Sequence, residues 1–239
     1  MEIFLIFVIV YRGTPLPQPK LTKCPIGTFL FYPCGGRCGI KFLNLQPCYV
    51  IINTGNKELF MFHFIKSLFN KKIKKRKNGV SVKDYYNECA EKEFLRTHKD
   101  AANLLEFQTT EYIYQKYLKK GMKILDAGGG PGRYTIDLAK QGYHMTLLDI
   151  SDKELELARK KIKQYHVGKF VDSVDLGSIT ELPYKDNSFD MVLCIGGPLS
   201  HLRTESERKK AIKELVRVAK PGAPYLFLLW RGRRSCIWL

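Results

Sequence analysis

Acidic residues are in the minority in this chain. Lysine and arginine number 40 and aspartate and glutamate 23, giving a formal net charge of +17 over 239 residues. Such an excess suits an acidic partner, either nucleic acid or an anionic membrane. The heptad KKIKKRK (Lys71–Lys77) supplies much of it, so the molecule as a whole is not a basic binding surface. Also lacking is an ordinary export signal. The apolar start MEIFLIFVIVY has no basic flank and no small-residue cleavage site, and it is too short to cross a bilayer as a helix. A cytoplasmic location is the expectation. No disulfide framework stands out either, since the seven cysteines are an odd number and unevenly placed, which argues against a secreted cross-linked scaffold. Hydrophobic residues make up 45% of the chain, an ordinary globular share that excludes wholesale disorder.

What is present divides into three zones. Residues 1–60 carry apolar β-forming runs (FLIFVIVY, TFLFY, CYVIIN) between proline and glycine breaks, with no helix-period segment. Their cysteines run C-x9-C-x3-C-x9-C through Cys24, Cys34, Cys38 and Cys48. Zinc ribbons need two close pairs and only Cys34 and Cys38 are close, so no metal is expected. This zone reads as an irregular, strand-rich extension. Residues 61–83 form a basic amphipathic linker, with Phe62, Ile65, Phe69 and Ile73 at helical spacing. Docking on nucleic acid or an anionic membrane through Lys71–Lys77 is the alternative to a solvated linker, and the linker reading is preferred.

From residue 84 the texture is regular. Strand-like runs alternate with helical patterns: KILDA and a helix from Arg133, HMTLLDI and a helix from Asp152, a weaker strand near Val174–Gly177, FDMVLCI and a helix from about Glu205, then PYLFLLW. The alternation predicts an α/β domain, residues 84–239, with a Rossmann-like, doubly wound, mostly parallel sheet. SDKE (Ser151–Glu154) and TESE (Thr204–Glu207) read as capping boxes that open helices. Gly142 and the pair Pro221-Gly222 mark where helices stop. Ala211, Ile212, Leu215, Val216 and Ala219 form a core stripe.

The densest signal is ILDAGGGPGRY, residues 124–134. It links a strand to a helix, so a ligand would lie at the carboxyl end of the sheet near a helix N-terminus. A P-loop requires lysine after its last glycine, and Arg133 and Tyr134 follow Gly132. The dinucleotide fingerprint G-x-G-x-x-G places a third glycine inside the helix start; in either register this chain has Arg133 or Thr135 there. The pattern that fits is D-x-G-x-G-x-G through Asp126, Gly128, Gly130 and Gly132. This resembles motif I of the class I S-adenosylmethionine-dependent methyltransferases. Further on, LLDIS ends a strand with Asp149, seventeen residues past Gly132, and LPYKDNSFD leads into the next strand as in the small-molecule branch of that family. ELVRVAKPGAPYLFLL resembles the helix, turn and strand that follow.

The resemblance implies S-adenosyl-L-methionine as cofactor and a small-molecule methyl acceptor. Asp126, Gly128, Gly130 and Gly132 would contact the methionine part, Asp149 the ribose hydroxyls, and Ile150 the adenine face. Relatives often carry Gly-Asp-Ala where this chain has Gly177-Ser178-Ile179; the Ser178 hydroxyl and Ile179 amide would serve the adenine edge. Ile195 and Gly196 would line the side where donor meets acceptor. Transfer from a sulfonium rests on proximity and orientation, and a base matters only for a protonated acceptor. His201 is the candidate base, with helix capping as its structural alternative. Tyr85 and Tyr86 resemble the aromatic pair of the family's first helix, where a tyrosine can lie over the cofactor or simply pack.

The family sheet has seven strands, whereas after PYLFLLW this sequence has RGRRSCIWL. The expectation is a sheet incomplete after its fifth strand, with that strand a bare edge. A remnant module that binds cofactor without turnover, or a nucleic-acid methyltransferase using the basic tract, are the competing readings. The latter lacks an N-P-P-Y-like tetrad, since IGGP stands at that place.

Overall fold

The structure is a computed structural model, and it describes residues 4–11, 29–32, 48–53, 81–96 and 98–231. Cys24, Cys34, Cys38, Cys236, the 61–80 amphipathic stretch and Lys71–Lys77 lie outside the described residues. Three strands come from the first zone: β1 (Phe4–Tyr11), β2 (Phe29–Tyr32) and β3 (Cys48–Asn53). Two helices follow, α1 (Val82–Arg96) and α2 (Ala101–Gln115). The alternating unit then runs β4 (Lys123–Ala127), α3 (Arg133–Lys140), β5 (His144–Asp149), α4 (Asp152–Gln164), β6 (Val171–Leu176), β7 (Met191–Cys194), α5 (Pro198–His201), α6 (Glu205–Val218) and β8 (Tyr225–Arg231).

The sheet order is β2-β3-β1-β8-β7-β4-β5-β6. From β8 to β6 all neighbours are parallel, as the βαβ reading requires. The order reverses at β4, which lies between β5 and β7, so the chain leaves β4 at a topological switch point. Ligands in open α/β sheets bind there, beyond the carboxyl ends of the strands.

One expectation is corrected. The fifth strand of the alternating unit, β8, is not a bare edge: β1 pairs with it antiparallel over Phe4–Val10 and Tyr225–Arg231. Beyond β1, the strands β3 and β2 continue the sheet in parallel register. The physical reason is the unmet row of backbone donors and acceptors along β8, which an apolar β-branched run such as FLIFVIVY can satisfy.

Alternation along the buried strands places side chains on two cores. Leu125, Val192 and Cys194 join Ile212, Leu215 and Tyr225 beneath α6. Ile124, Met191 and Leu193 face the other way, with Phe107, Ile113, Tyr134 and Leu138 from α2 and α3. Both sheet faces are therefore covered, the usual condition of a parallel sheet. The stripe expected on the last helix is indeed core: Ala211, Ile212, Leu215, Val216 and Ala219 are all buried.

Candidate functional site

The loop after β4 is built around backbone that side chains would obstruct. Gly128, Gly130 and Gly132 have φ of +75°, +55° and +79°, the left-handed region that glycine enters without penalty. A Cβ on Gly128 would stand 2.4 Å from Pro198 Cγ, at the start of α5. Gly129, which the D-x-G-x-G-x-G pattern leaves free, is just as constrained: its Cβ would meet Asp126 Cγ at 2.4 Å and Leu147 Cδ1 at 2.5 Å. Composition showed a glycine there, but only packing shows why it must be one.

Asp149 holds the loop in place. Its Oδ2 accepts from the Gly130 amide at 2.9 Å and its Oδ1 from the Ser151 amide at 2.8 Å. One carboxylate thus ties the glycine loop to the start of α4. Burial raises its pKa, and the Ser151 and Gly130 amides pull it back. Each oxygen keeps a lone pair for a further donor.

The loop roofs a cleft of about 160 Å³. Of the candidate residues, Gly128, Gly130, Asp149, Ile150, Ser178, Ile179, Ile195, Gly196 and His201 line it. Asp126 and Gly132 do not: Asp126 is buried under the loop, and Gly132, the cap residue of α3, faces Leu147 and Ala158. Asp126 is fully buried, its Oδ2 accepting from the Thr135 hydroxyl at 2.7 Å. Burial raises its pKa to about 6 despite that bond. Asp126 thus anchors the loop to α3, and direct contact with a ligand is not what its position offers. Ser178 lines the cleft with a hydroxyl already engaged locally, 2.8 Å from Thr180 Oγ1.

The lid over the cleft is α1. It packs on α4, with Lys83 Nζ 2.8 Å from Asp152 and the Ser151 hydroxyl donating to Asn87 Oδ1 at 2.7 Å. Tyr86 lines the cleft and Tyr85 does not. The Tyr86 hydroxyl lies 2.8 Å from His201 Nε2, their rings edge to face at 5.4 Å. This bond joins the lid to the loop after β7, across 115 residues of sequence.

Some lining residues were not singled out as site candidates: Glu93 and Arg96 carried no sequence signal, and Arg133 and Glu154 were read only as helix-start residues. Arg96 Nε is 2.9 Å from Glu93, and its Nη1 is 3.4 Å from Glu106. Burial opposes its charge, but Glu106 and Glu93 outweigh that and hold the guanidinium protonated. Arg133 stacks its guanidinium over Phe107 at 5.1 Å. The donors and acceptors fit S-adenosylmethionine. Asp149 has lone pairs for a ribose diol, Ile150, 42% exposed, offers an apolar face, and Arg96 with the glutamates offers both signs of charge for an amino-acid zwitterion.

Comparison with known proteins bears on the same segment. Residues 124–222 match a family model described as "Methyltransferase domain". The chain is 36% identical over 122 residues to norajmaline N-methyltransferase of Rauvolfia serpentina, covering 51% of this chain and 40% of that protein. It is 29% identical over 186 residues to the ubiquinone/menaquinone biosynthesis C-methyltransferase UbiE of Idiomarina loihiensis, covering 74% of this chain and 67% of that protein. A UbiE protein of Psychromonas ingrahamii matches at 34% identity, and the chain covers 43% of it. The chain thus spans less than half the length of two of these relatives. Among solved structures, the [4+2]-cyclase SpnF superposes with a TM-score of 0.51 at 22% identity, over 59% of this chain and 56% of that one. That likeness concerns the fold alone.

Proposed function

We propose that the segment matching the methyltransferase-domain model, residues 124–222, belongs to a class I S-adenosylmethionine-dependent methyltransferase domain and that the chain transfers a methyl group from S-adenosylmethionine to a small-molecule acceptor. The single observation that carries the reading is the cleft itself. A glycine loop pinned by Asp149 faces Ile150, Ile195 and Gly196 at the switch point between β4 and β7. Fold likeness would not suffice, since SpnF is a cyclase by name. The small-molecule class is supported by the relatives, one named for norajmaline and others for ubiquinone and menaquinone synthesis.

In this reading Asp149 binds the ribose, Ile150 the adenine face, and Ser178 and Ile179 the adenine edge. Gly128 and Gly130 let the methionine end approach bare backbone. The bound cofactor supplies an electrophilic methyl group on its sulfonium. The protein's own part is to orient an acceptor beyond Ile195 and Gly196 and to exclude water beneath α1. His201 takes the acceptor's proton at Nε2, the atom that Tyr86 otherwise occupies. In this reading the methyltransferase unit is residues 84–239 and its place is the cytoplasm.

The test is equilibrium binding of S-adenosylmethionine and S-adenosylhomocysteine to the full chain, followed by transfer of labelled methyl to a panel of quinols, phenols and amines. Binding lost in Asp149→Ala together with one methylated product supports the reading. Binding without any product points to a cofactor-binding module, and no binding at all removes the proposal.

A further inference from the structure

Glu154 breaks the pattern that the sequence assigns to it. In a capping box the glutamate at the third helical position bonds back to the cap residue's amide. The Ser151 half is made, its hydroxyl accepting from the Glu154 amide at 3.1 Å. The carboxyl of Glu154 does not return. It lies beneath the glycine loop, where a Cβ on Gly130 would stand 3.1 Å from its Oε2. It is 2% exposed, it lines the cleft, and Oε1 has no hydrogen-bond partner. A buried carboxyl with an unmet oxygen is costly to keep unless something is to fill it.

The charged groups around it come from three sides. Asp149 at the end of β5 and Glu93 on α1 disfavour a second negative charge, and Arg96 on α1 only partly offsets them. The loop contributes glycine backbone alone at this point. Burial first, then Asp149 and Glu93, raise the Glu154 pKa to about 9. The carboxyl therefore carries a proton near neutrality until a cation arrives.

We propose that Glu154 is a cofactor-facing carboxyl whose ionisation answers the positive charge of the donor, so that the cleft prefers the sulfonium cofactor to its neutral thioether product and releases a proton on binding it. The inference rests on the reading of the cleft as an S-adenosylmethionine site. The two ligands share adenosine, ammonium and carboxylate and differ by one methyl group and one positive charge. In a site of low dielectric that charge difference is felt strongly by a nearby carboxyl. Ionisation of Glu154 is then paid by the donor and withdrawn once the methyl has left, which favours product exchange.

The experiment is calorimetric titration of the full chain with each ligand at pH 6.5, in buffers of different ionisation enthalpy. This pH lies below the range in which an α-amino group titrates. The expected result is release of about one proton per S-adenosylmethionine bound and clearly less for S-adenosylhomocysteine. In Glu154→Gln the difference vanishes and the preference for the donor falls about tenfold, the factor by which release of nearly one proton at pH 6.5 tightens binding. Equal proton release for both ligands in the unmodified chain overturns the proposal and needs no variant. An unchanged preference in folded Glu154→Gln overturns it as well. If neither ligand binds, it is the cofactor reading that fails, and this inference with it.

Discussion

Two helices of this protein begin with the same four-residue formula, and they use it in opposite ways. At the start of α6, Thr204 accepts from the Glu207 amide at 3.1 Å, and Glu207 Oε2 accepts from the Thr204 amide at 2.8 Å. Both halves of the box close on the surface. At the start of α4, Ser151 makes its half while Glu154 turns inward under Gly130. The Thr204 amide bond lowers the Glu207 pKa, whereas burial raises that of Glu154 to about 9. Identical local chemistry yields a helix start signal in one place and a cleft wall in the other. Solvent decides between them. A carboxylate at the rim gains most from the nearest amide, but one enclosed by Asp149, Glu93 and a glycine loop gains more by staying protonated.

The contrast can be broken by substitution. The largest effect is expected at Glu154. Its folded pKa lies above the ordinary value of 4.5, so the folded state binds more protons than the unfolded one between the two values. Stability therefore falls as pH rises from about 4.5 towards 9. Glu154→Gln removes that slope and leaves the variant more stable than the parent by ~1–3 kcal/mol at alkaline pH, measured by denaturant melts across pH. A parallel pH slope in both proteins contradicts the assignment.

Ser151→Ala comes next, at a cost of ~1–2 kcal/mol, because its hydroxyl also donates to Asn87 on the lid. Chemical denaturation gives the loss, and amide exchange in α1 reads whether the lid loosens with it. Thr204→Ala loses a surface cap alone and is expected to cost ~1 kcal/mol with no change in cofactor affinity. Glu207→Gln is the smallest, ~0.5 kcal/mol or less, and its sign is opposite to that of Glu154. Its carboxylate helps above its lowered pKa, and the help disappears as pH falls through that value. The stability of the two glutamine variants relative to the parent should therefore change with pH in opposite directions, rising with pH for Glu154→Gln and falling for Glu207→Gln.

Much of this was readable before any coordinates. KILDA is β4 residue for residue, and the helices from Arg133, Asp152 and Glu205 begin as expected, because period and cap chemistry are local. The weaker strand was placed near Val174–Gly177 and runs Val171–Leu176; as a sheet edge with only intermediate burial it lacks a clean apolar pattern. Nine of the eleven residues singled out for the site line the cleft. The two exceptions, Asp126 and Gly132, are motif positions whose spacing is visible and whose depth is not. Arg96 and Glu93 could not have been found, since nothing in a helix pattern says which face will meet a loop a hundred residues away.

Local sequence settled the identity of the alternating elements and the turn of the glycine loop, because backbone sterics and hydrogen bonding act over a few residues. Tertiary packing settled the remainder. It gave β8 a partner in β1, set Gly129 against Leu147, brought Tyr86 to His201, and separated Glu154 from Glu207. Each depends on distances and on exclusion of water between segments far apart in the chain, and those quantities exist only once the chain has closed on itself.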